Sequence, residues 1–473
     1  MEFNKGENRN RYRTLASDII IFIIGTVLSK AIQFVLMPLY TTYMSTEAYG
    51  IAELTNNLSE LFFPIATLCI YEAAFRFAVD PEFDNKQLAT AVFFVMKKSV
   101  IIGFLITIVC SFLFNYKYAF FLFFILYAYS IQMCAAYYVR GCGFSKIFAM
   151  SGVINALTLG LFNLIFLVLL KLNEEGYLIS IGLSYVCSSI YLVIRGKINK
   201  QINKSASNRN DLTVLFKYCF PLIFYNVLYW VTTISGRYVL LWFTDSSTAG
   251  KYIAAIKIAA IINMIQQAIY AAFQLNTSRA YTEENREKYY SEITNLFISI
   301  YCTFGAMVIC LTPLLAIFTL KNDFYEARIY LPIIMLAALI NCISSVLGAM
   351  YSTYKKTKRM IGVSIVGALI NFIIGIILTP QLGVFGVCIA SVLCYFSQTI
   401  YKFIDIRKFC SITYSWKLVI PNIAILTIQV VIMSIEFHSN LFIAVGLTLF
   451  LFTINMKTLS LGTNLLLKKS KFV

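Results

Sequence analysis

The sequence predicts an all-α integral membrane protein of about fourteen transmembrane helices, on three observations. Fourteen long apolar stretches follow one another along the 473 residues, hydrophobic residues make up 59% of the chain against 13% charged, and the intervening loops alternate between basic and almost uncharged. A helix that crosses the hydrocarbon needs about 20 apolar residues, and a soluble domain needs more charge than this to cover its surface. The mean hydropathy of +0.77 agrees.

The spans are expected near residues 18–43, 50–79, 88–114, 118–140, 147–170, 177–195, 212–243, 250–279, 289–318, 325–353, 360–380, 383–403, 416–435 and 438–456. The first is too long for a signal-peptide core and lacks a small-residue cleavage site after it, so it should remain as a span. Pro38 and Pro64 interrupt spans 1 and 2. A proline there removes a backbone donor and kinks the helix, which makes both residues gate candidates.

The net charge of +17 is topological in origin. Basic residues crowd the loops that would be cytoplasmic with the N-terminus inside, among them Arg9, Arg11, Arg13, the Arg195 to Arg209 segment and Lys355 to Arg359. The opposite loops carry only Lys117, Lys171, Lys251, Lys321 and Arg328. This positive-inside pattern puts both termini in the cytoplasm and removes the case for a nucleic-acid partner.

The 12 cysteines fall in or beside spans with no CxxC pattern and read as small apolar residues, with neither a disulfide framework nor a metal site. The single histidine, His438, reads as a solvated loop residue beside Glu436. No HExxH, P-loop or GxSxG pattern occurs. The sequence therefore shows no catalytic constellation, no cofactor site and no nucleotide site to drive transport.

Shifting the chain by 210 residues pairs Lys146 with Lys356, Met150 with Met360, Gly152 with Gly362, Gly176 with Gly386 and Tyr185 with Tyr395. Each half holds six spans, so the repeats enter the membrane in the same sense and should be related by an axis along its normal. The expected organisation is an N-lobe over 1–200, a cytoplasmic linker over 201–211, a C-lobe over 212–410, and two extra spans with a basic tail over 411–473. The linker is the most polar internal stretch and the natural hinge.

The segment LSKAIQFVLMPLYTTYMSTEAYGIAEL, the ending YEAAFRFAVD, the second-half STAGKYIAAIKIA and the late PQLGVFGVCIAS carry a family resemblance. Together they resemble the polysaccharide (Wzx-type) flippases of the multidrug/oligosaccharidyl-lipid/polysaccharide superfamily, over nearly the whole chain in span order. The resemblance implies a two-lobed transporter of the bacterial inner membrane that turns over undecaprenyl-pyrophosphate-linked oligosaccharide for O-antigen or capsule assembly. Polysaccharide polymerase machinery is then a candidate partner beside the lipid-linked substrate and the bilayer.

Ionisable residues inside spans cost about 2.5–3.5 kcal/mol each at the helix centre and usually face a cavity or each other. Lys30 in span 1, Glu53 and Glu60 in span 2, Arg237 in span 7 and Lys257 in span 8 lie on equivalent pairs of the two repeats. In a two-lobed bundle these spans should line the cleft. The functional reading is that Lys30, Arg237 and Lys257 hold the pyrophosphate, Arg by a bidentate contact and Lys as a mobile point charge. The competing reading pairs Lys30 with Glu60 and Lys257 with Glu53, or lets Arg237 and Lys257 snorkel to the interface.

Asn56 and Asn57 in span 2, with Asn263, Gln266 and Gln267 in span 8, could meet sugar hydroxyls or bond helix to helix, since amides both donate and accept. Glu72 and Arg76 are spaced as an ordinary i, i+4 pair, and the resemblance makes Arg76 an inner-gate candidate. Lys97 and Lys98 point about 100° apart on a helix. They mark either the cytoplasmic start of span 3 or a binding role.

Two alternatives stand beside the flippase. A cation-coupled multidrug exporter of the same superfamily would use Glu53 or Glu60 as its ion-binding carboxylate. A membrane-embedded glycan polymerase or ligase would need large outer loops, and these are short.

Overall fold

The structure is a computed structural model that describes residues 32, 34–80, 83–202, 209–279, 286–354, 356, 358–435 and 441–470. Among the described residues every regular element is a helix. Among the described residues eleven helices are long and apolar enough to cross a membrane, or twelve if one bent pair counts as a single span. Two of the fourteen expected spans are not among these twelve. Span 1 lies mostly outside the described residues, and the other is the continuous helix Ser246–Arg279 of 34 residues. The chain divides into two compact units, residues 1–36 with 43–230, and residues 37–42 with 231–473.

A turn at Leu36 precedes the short α1 (Met37–Tyr43), in which Pro38 is the second residue. Proline is tolerated there because the first-turn donors have no intrahelical acceptor. Most of α1 belongs to the second unit.

The first unit begins with α2 (Thr46–Ala66), whose N-terminus is capped by Ser45 accepting from the Ala48 amide. After a break, α3 (Ile70–Ala78) leaves at 59° to it. Pro64 lies just before the break, and Leu68 and Cys69 take left-handed φ values of 50° and 53°. Thr67 returns its hydroxyl to the Phe63 carbonyl at 2.7 Å, and the Cys69 amide reaches the Pro64 carbonyl at 3.1 Å. The carbonyls freed at the bend are thus satisfied locally, as a membrane demands.

Four further helices complete the unit: α4 (Asn85–Phe114), α5 (Ala119–Gly141), α6 (Ser145–Asn163), which runs into a π-helical segment to Leu169, and α7 (Asn173–Arg195). α5 is the hub, packed by α2, α3, α4 and α7. α8 (Arg209–Phe243) is 35 residues long, and the division between the units falls inside it, after Trp230.

The second unit holds the rest of α8, then α9 (Ser246–Arg279), α10 (Arg286–Cys310), α11 (Thr312–Thr319), a 3-10 stretch over Asn322–Tyr330, α12 (Leu331–Thr353), α13 (Lys358–Leu382), α14 (Val384–Ile406), α15 (Trp416–Ile435) and α16 (Leu441–Ser470). α12 is the centre, touched by α9, α10, α14 and α15. Gly383 turns α13 into α14 with φ +54°, a conformation in which a Cβ would be strained. α15 and α16 pack on each other and on α10. Their polar clamps are explicit: Asn422 and Asn455 exchange amide hydrogen bonds at 2.9 and 3.0 Å, and Gln429 donates to Thr448 at 3.0 Å.

Candidate functional site

In the first unit the candidate residues of span 2 lie on one helix. At 100° per residue, Asn57 and Glu60 fall within about 60° of each other around α2, with Glu53 between them. Glu53 is buried at 1% exposure, as is Asn57, whereas Glu60 is exposed. The Tyr177 hydroxyl on α7 donates to Glu53 Oε1. Tyr49 packs edge-on against the Tyr177 ring, with centroids 6.0 Å apart. One turn along, the Asn57 carbonyl accepts from the Trp230 indole at 3.0 Å. Glu53 is therefore buried within the first unit beside a hydroxyl donor, which a carboxyl needs there to be tolerated.

Pro64 lies at the bend between α2 and α3, so its expected kink has a location and an angle. Arg76 is exposed on α3. Its ion pair is with Asp80 at 4.0 Å, which corrects the pairing with Glu72 expected from spacing. The i+4 rule is satisfied in both directions, and the exposed guanidinium pairs with the more accessible Asp80, not with the half-buried Glu72.

In the second unit Lys257 on α9 is half-buried, with its ammonium 5.9 Å from the centroid of the Tyr40 ring on α1. α1 is tied there by the Thr41 hydroxyl, which donates to the Thr319 carbonyl at 2.8 Å, and by Asn322, which donates to the Thr41 carbonyl at 3.2 Å. The end of span 1 is thus part of the same unit as the span-8 lysine, a cation–π arrangement that spacing could not show. Arg237 is half-buried in the C-terminal part of α8, as are Asn263 and Gln266 on α9. Nine residues separate Lys257 from Gln266, which sets them about 180° apart around α9. Lys30 and His438 lie outside the described residues, as does the Gln267 side chain.

Sequence reasoning missed a second polar centre in this unit. Asp405 on α14 is 4% exposed and accepts from Arg359 at 2.8 Å, Lys408 at 3.2 Å and the Tyr351 hydroxyl at 3.2 Å. One turn earlier the buried Lys402 donates to the Ser344 carbonyl at 2.9 Å and its hydroxyl at 2.7 Å. The run Lys402, Asp405, Lys408 at i, i+3, i+6 was the available signal. Outside the spans, Lys117 forms ion pairs with Glu175 at 3.0 Å and Glu174 at 3.7 Å. The hydrogen bond to Glu175 pushes the lysine above the usual range.

The family model described as "Polysaccharide biosynthesis protein" matches residues 15–275, and one described as "MatE" matches 221–377. No curated protein sequence matches the chain. Among solved structures, the lipid II flippase MurJ in an inward closed conformation superposes with a TM-score of 0.65 at 14% identity, over 95% of this chain and 100% of that one. A MATE transporter in complex with MaL6 superposes with a TM-score of 0.58 at 14% identity, covering 83% and 96%. A multidrug/oligosaccharidyl-lipid/polysaccharide superfamily transporter from Pyrococcus furiosus, described as having reversed pocket polarity, gives 0.55 at 14% identity, covering 82% and 95%. The fold is the one that these transporters and flippases share.

Proposed function

The chain belongs to the polysaccharide biosynthesis protein family, and from that premise we propose that it is a flippase for undecaprenyl-pyrophosphate-linked oligosaccharide, an O-antigen or capsule repeat unit. It would carry this cargo across the bacterial inner membrane by alternating access of two six-span lobes, with both termini and the 201–211 linker on the cytoplasmic side. Lys30, Arg237 and Lys257 neutralise the diphosphate in the cleft, and a polymerase on the far side consumes the delivered repeat unit.

The observation that carries this reading is the extent of the match to a flippase of a lipid-linked cargo. The lipid II flippase covers 95% of this chain, whereas the MATE transporter in complex with MaL6 covers 83%. A lipid diphosphate leaving water also needs cations already in place, which Lys30, Arg237 and Lys257 would supply.

A cation-coupled multidrug exporter is the second reading, favoured by the "MatE" match over 221–377 and by the buried Glu53 carboxyl. Purified protein in liposomes separates the two. The flippase moves a fluorescent undecaprenyl-diphosphate oligosaccharide into a leaflet where dithionite cannot quench it. The exporter instead extrudes a cationic dye in response to a proton or sodium gradient and leaves the lipid where it was.

A further inference from the structure

Six aromatic rings in the first unit form a continuous ladder: Tyr185 on α7, Tyr129 on α5, Phe63 on α2, Tyr71 on α3, Tyr137 on α5 and Phe75 on α3. Successive ring centroids lie 5.0, 4.7, 4.7, 5.2 and 6.3 Å apart. The bend after Pro64 closes the middle of it. On a straight helix Phe63 and Tyr71 would be separated by about 12 Å along the axis, whereas at the 59° break their rings stack at an interplanar angle of 30°. Tyr129 and Tyr137 are also eight residues apart, so the ladder follows α5 for about 12 Å, from mid-helix toward its C-terminal end. There the Arg140 guanidinium covers the Phe75 ring at 4.8 Å.

Core packing accounts for part of the ladder. Phe63 and Tyr71, at 7% and 4% exposure, are its buried spine. Tyr129, Tyr137 and Tyr185 are only half-buried, and among the described residues their hydroxyls take part in no hydrogen bond with the protein. A ring needed for packing alone would be as good without that hydroxyl. The adjacent face of α2 identifies the medium that these hydroxyls meet. Asn56, Glu60 and Phe63 fall within about 60° of one another around the helix. Glu60 is exposed, and its carboxylate lies within electrostatic reach of Tyr129 and Tyr185. A carboxylate inside a span faces a water-filled cavity and not hydrocarbon. The open side of the ladder is therefore the aqueous side of the unit. Asn56 is half-buried on the same face, and its side-chain amide has no hydrogen-bond partner among the described residues.

We propose that the open side of this ladder binds the sugar rings of the cargo's oligosaccharide head, stacked on Tyr185, Tyr129 and Tyr137 and held by their hydroxyls, the Asn56 amide and the Glu60 carboxylate. The proposal deepens the flippase reading and rests on it for the cargo. A sugar ring has an apolar face of C–H bonds that packs on an aromatic ring, and an edge of hydroxyls that both donate and accept. The phenol hydroxyls and the amide donate and accept in return, and a carboxylate can take two sugar hydroxyls at once. A lipophilic cation would use the rings and Glu60 but leave the phenol hydroxyls and the amide unanswered.

The test uses the full-length protein in nanodiscs and the lipid-free repeat-unit oligosaccharide released from the surface polysaccharide of its host. Nuclear magnetic saturation applied to the aromatic protons of the protein should pass to the ring protons of the oligosaccharide, a transfer that needs the two in contact. Tyr129→Phe and Tyr185→Phe should each weaken binding about fivefold, the effect of one lost hydrogen bond. Neither should move the thermal midpoint, because neither hydroxyl serves the protein. Tyr129→Leu should remove the transfer, and tetraphenylphosphonium, a lipophilic cation, should leave it intact. No transfer in the wild type, full binding in both Phe variants, or a midpoint lowered in both would overturn the site. Displacement of the sugar by tetraphenylphosphonium would overturn it too, and assign the rings and Glu60 to a cationic cargo. Flipping measured on the same protein separates this site from the reading it rests on. A wild type that binds the oligosaccharide here but moves no lipid-linked oligosaccharide keeps the sugar site and loses the flippase. A wild type that moves it without any saturation transfer keeps the flippase and loses the site.

Discussion

The Tyr177 hydroxyl on α7 donates to the Glu53 carboxyl on α2, a hydrogen bond that spans 124 residues of sequence and joins two helices of one unit. Glu53 is 1% exposed, so this donor does for the carboxyl what water would do outside. It also gives the residue a structural duty independent of any ion.

Removing the donor tests that duty. Tyr177→Phe keeps the ring against Tyr49 and leaves the carboxyl short of a partner, a loss of about 1–3 kcal/mol. Its thermal midpoint in detergent should fall, while Glu53→Gln, whose amide oxygen can still accept, should stay near the wild type and still export glycan. Loss of transport in Glu53→Gln with intact stability, and with an altered proton or sodium dependence, would instead support the coupled exporter.

The Asp405 centre should matter to stability more than to substrate. Asp405→Ala leaves Arg359 without its 2.8 Å partner and Tyr351 without an acceptor. Breaking a buried pair costs about 3–5 kcal/mol, but Arg359 and Lys408 are 42% and 61% exposed, so water and salt absorb part of the loss. A cost of about 2 kcal/mol is expected on this discounted scale. It should appear as lower yield and a lower midpoint by fluorescence-detected gel filtration. An Asp405→Ala protein of normal stability would show the cluster to be dispensable for the fold.

Much of this architecture was legible in the sequence, because spans are written in hydropathy and the bend in span 2 is written in Pro64. The partners of the buried polar groups were not. Glu53 could be flagged from the cost of a carboxyl in a membrane, yet nothing in its neighbourhood points to Tyr177. Arg76 has an acid four residues to either side, Glu72 and Asp80, and spacing alone cannot choose between them. Lys257 was read as a cleft cation without sight of Tyr40, which α1 places in the same unit through Thr41. Charge against hydropathy finds expensive residues, and packing decides what they meet.

Asp245 supplies a pH dependence outside the spans. It stands just before α9 and accepts from the Thr248 amide at 2.6 Å, which holds its carboxyl below the usual range. A carboxyl whose folded value is lowered adds stability above its unfolded value, near 4, and loses it as pH falls through the folded one. Asp245→Ala should cost about 1 kcal/mol, a normal loss for an N-terminal helix cap. The difference from the wild type should be full at pH 7 and shrink below pH 4. A difference that persists undiminished at pH 3 would assign the effect to something other than the ionised cap.

The three proposed cargo cations give the most direct test of the proposed cargo. Lys257→Ala and Arg237→Ala should each lower glycan export while leaving the protein inserted and abundant, because a diphosphate leaving water needs charges already positioned to meet it. Lys30→Ala should do the same, and Lys30→Arg should retain more export than Lys30→Gln. A snorkelling or purely structural cation would give another pattern, with abundance falling alongside export and recovering when packing is restored. For Lys257 that control is Lys257→Met, which keeps an apolar side chain of similar length but not the charge that lies over the Tyr40 ring. Export lost in Lys257→Met at full abundance assigns the lysine to the cargo, whereas normal export in all three alanine variants at native expression removes the cationic-cleft mechanism.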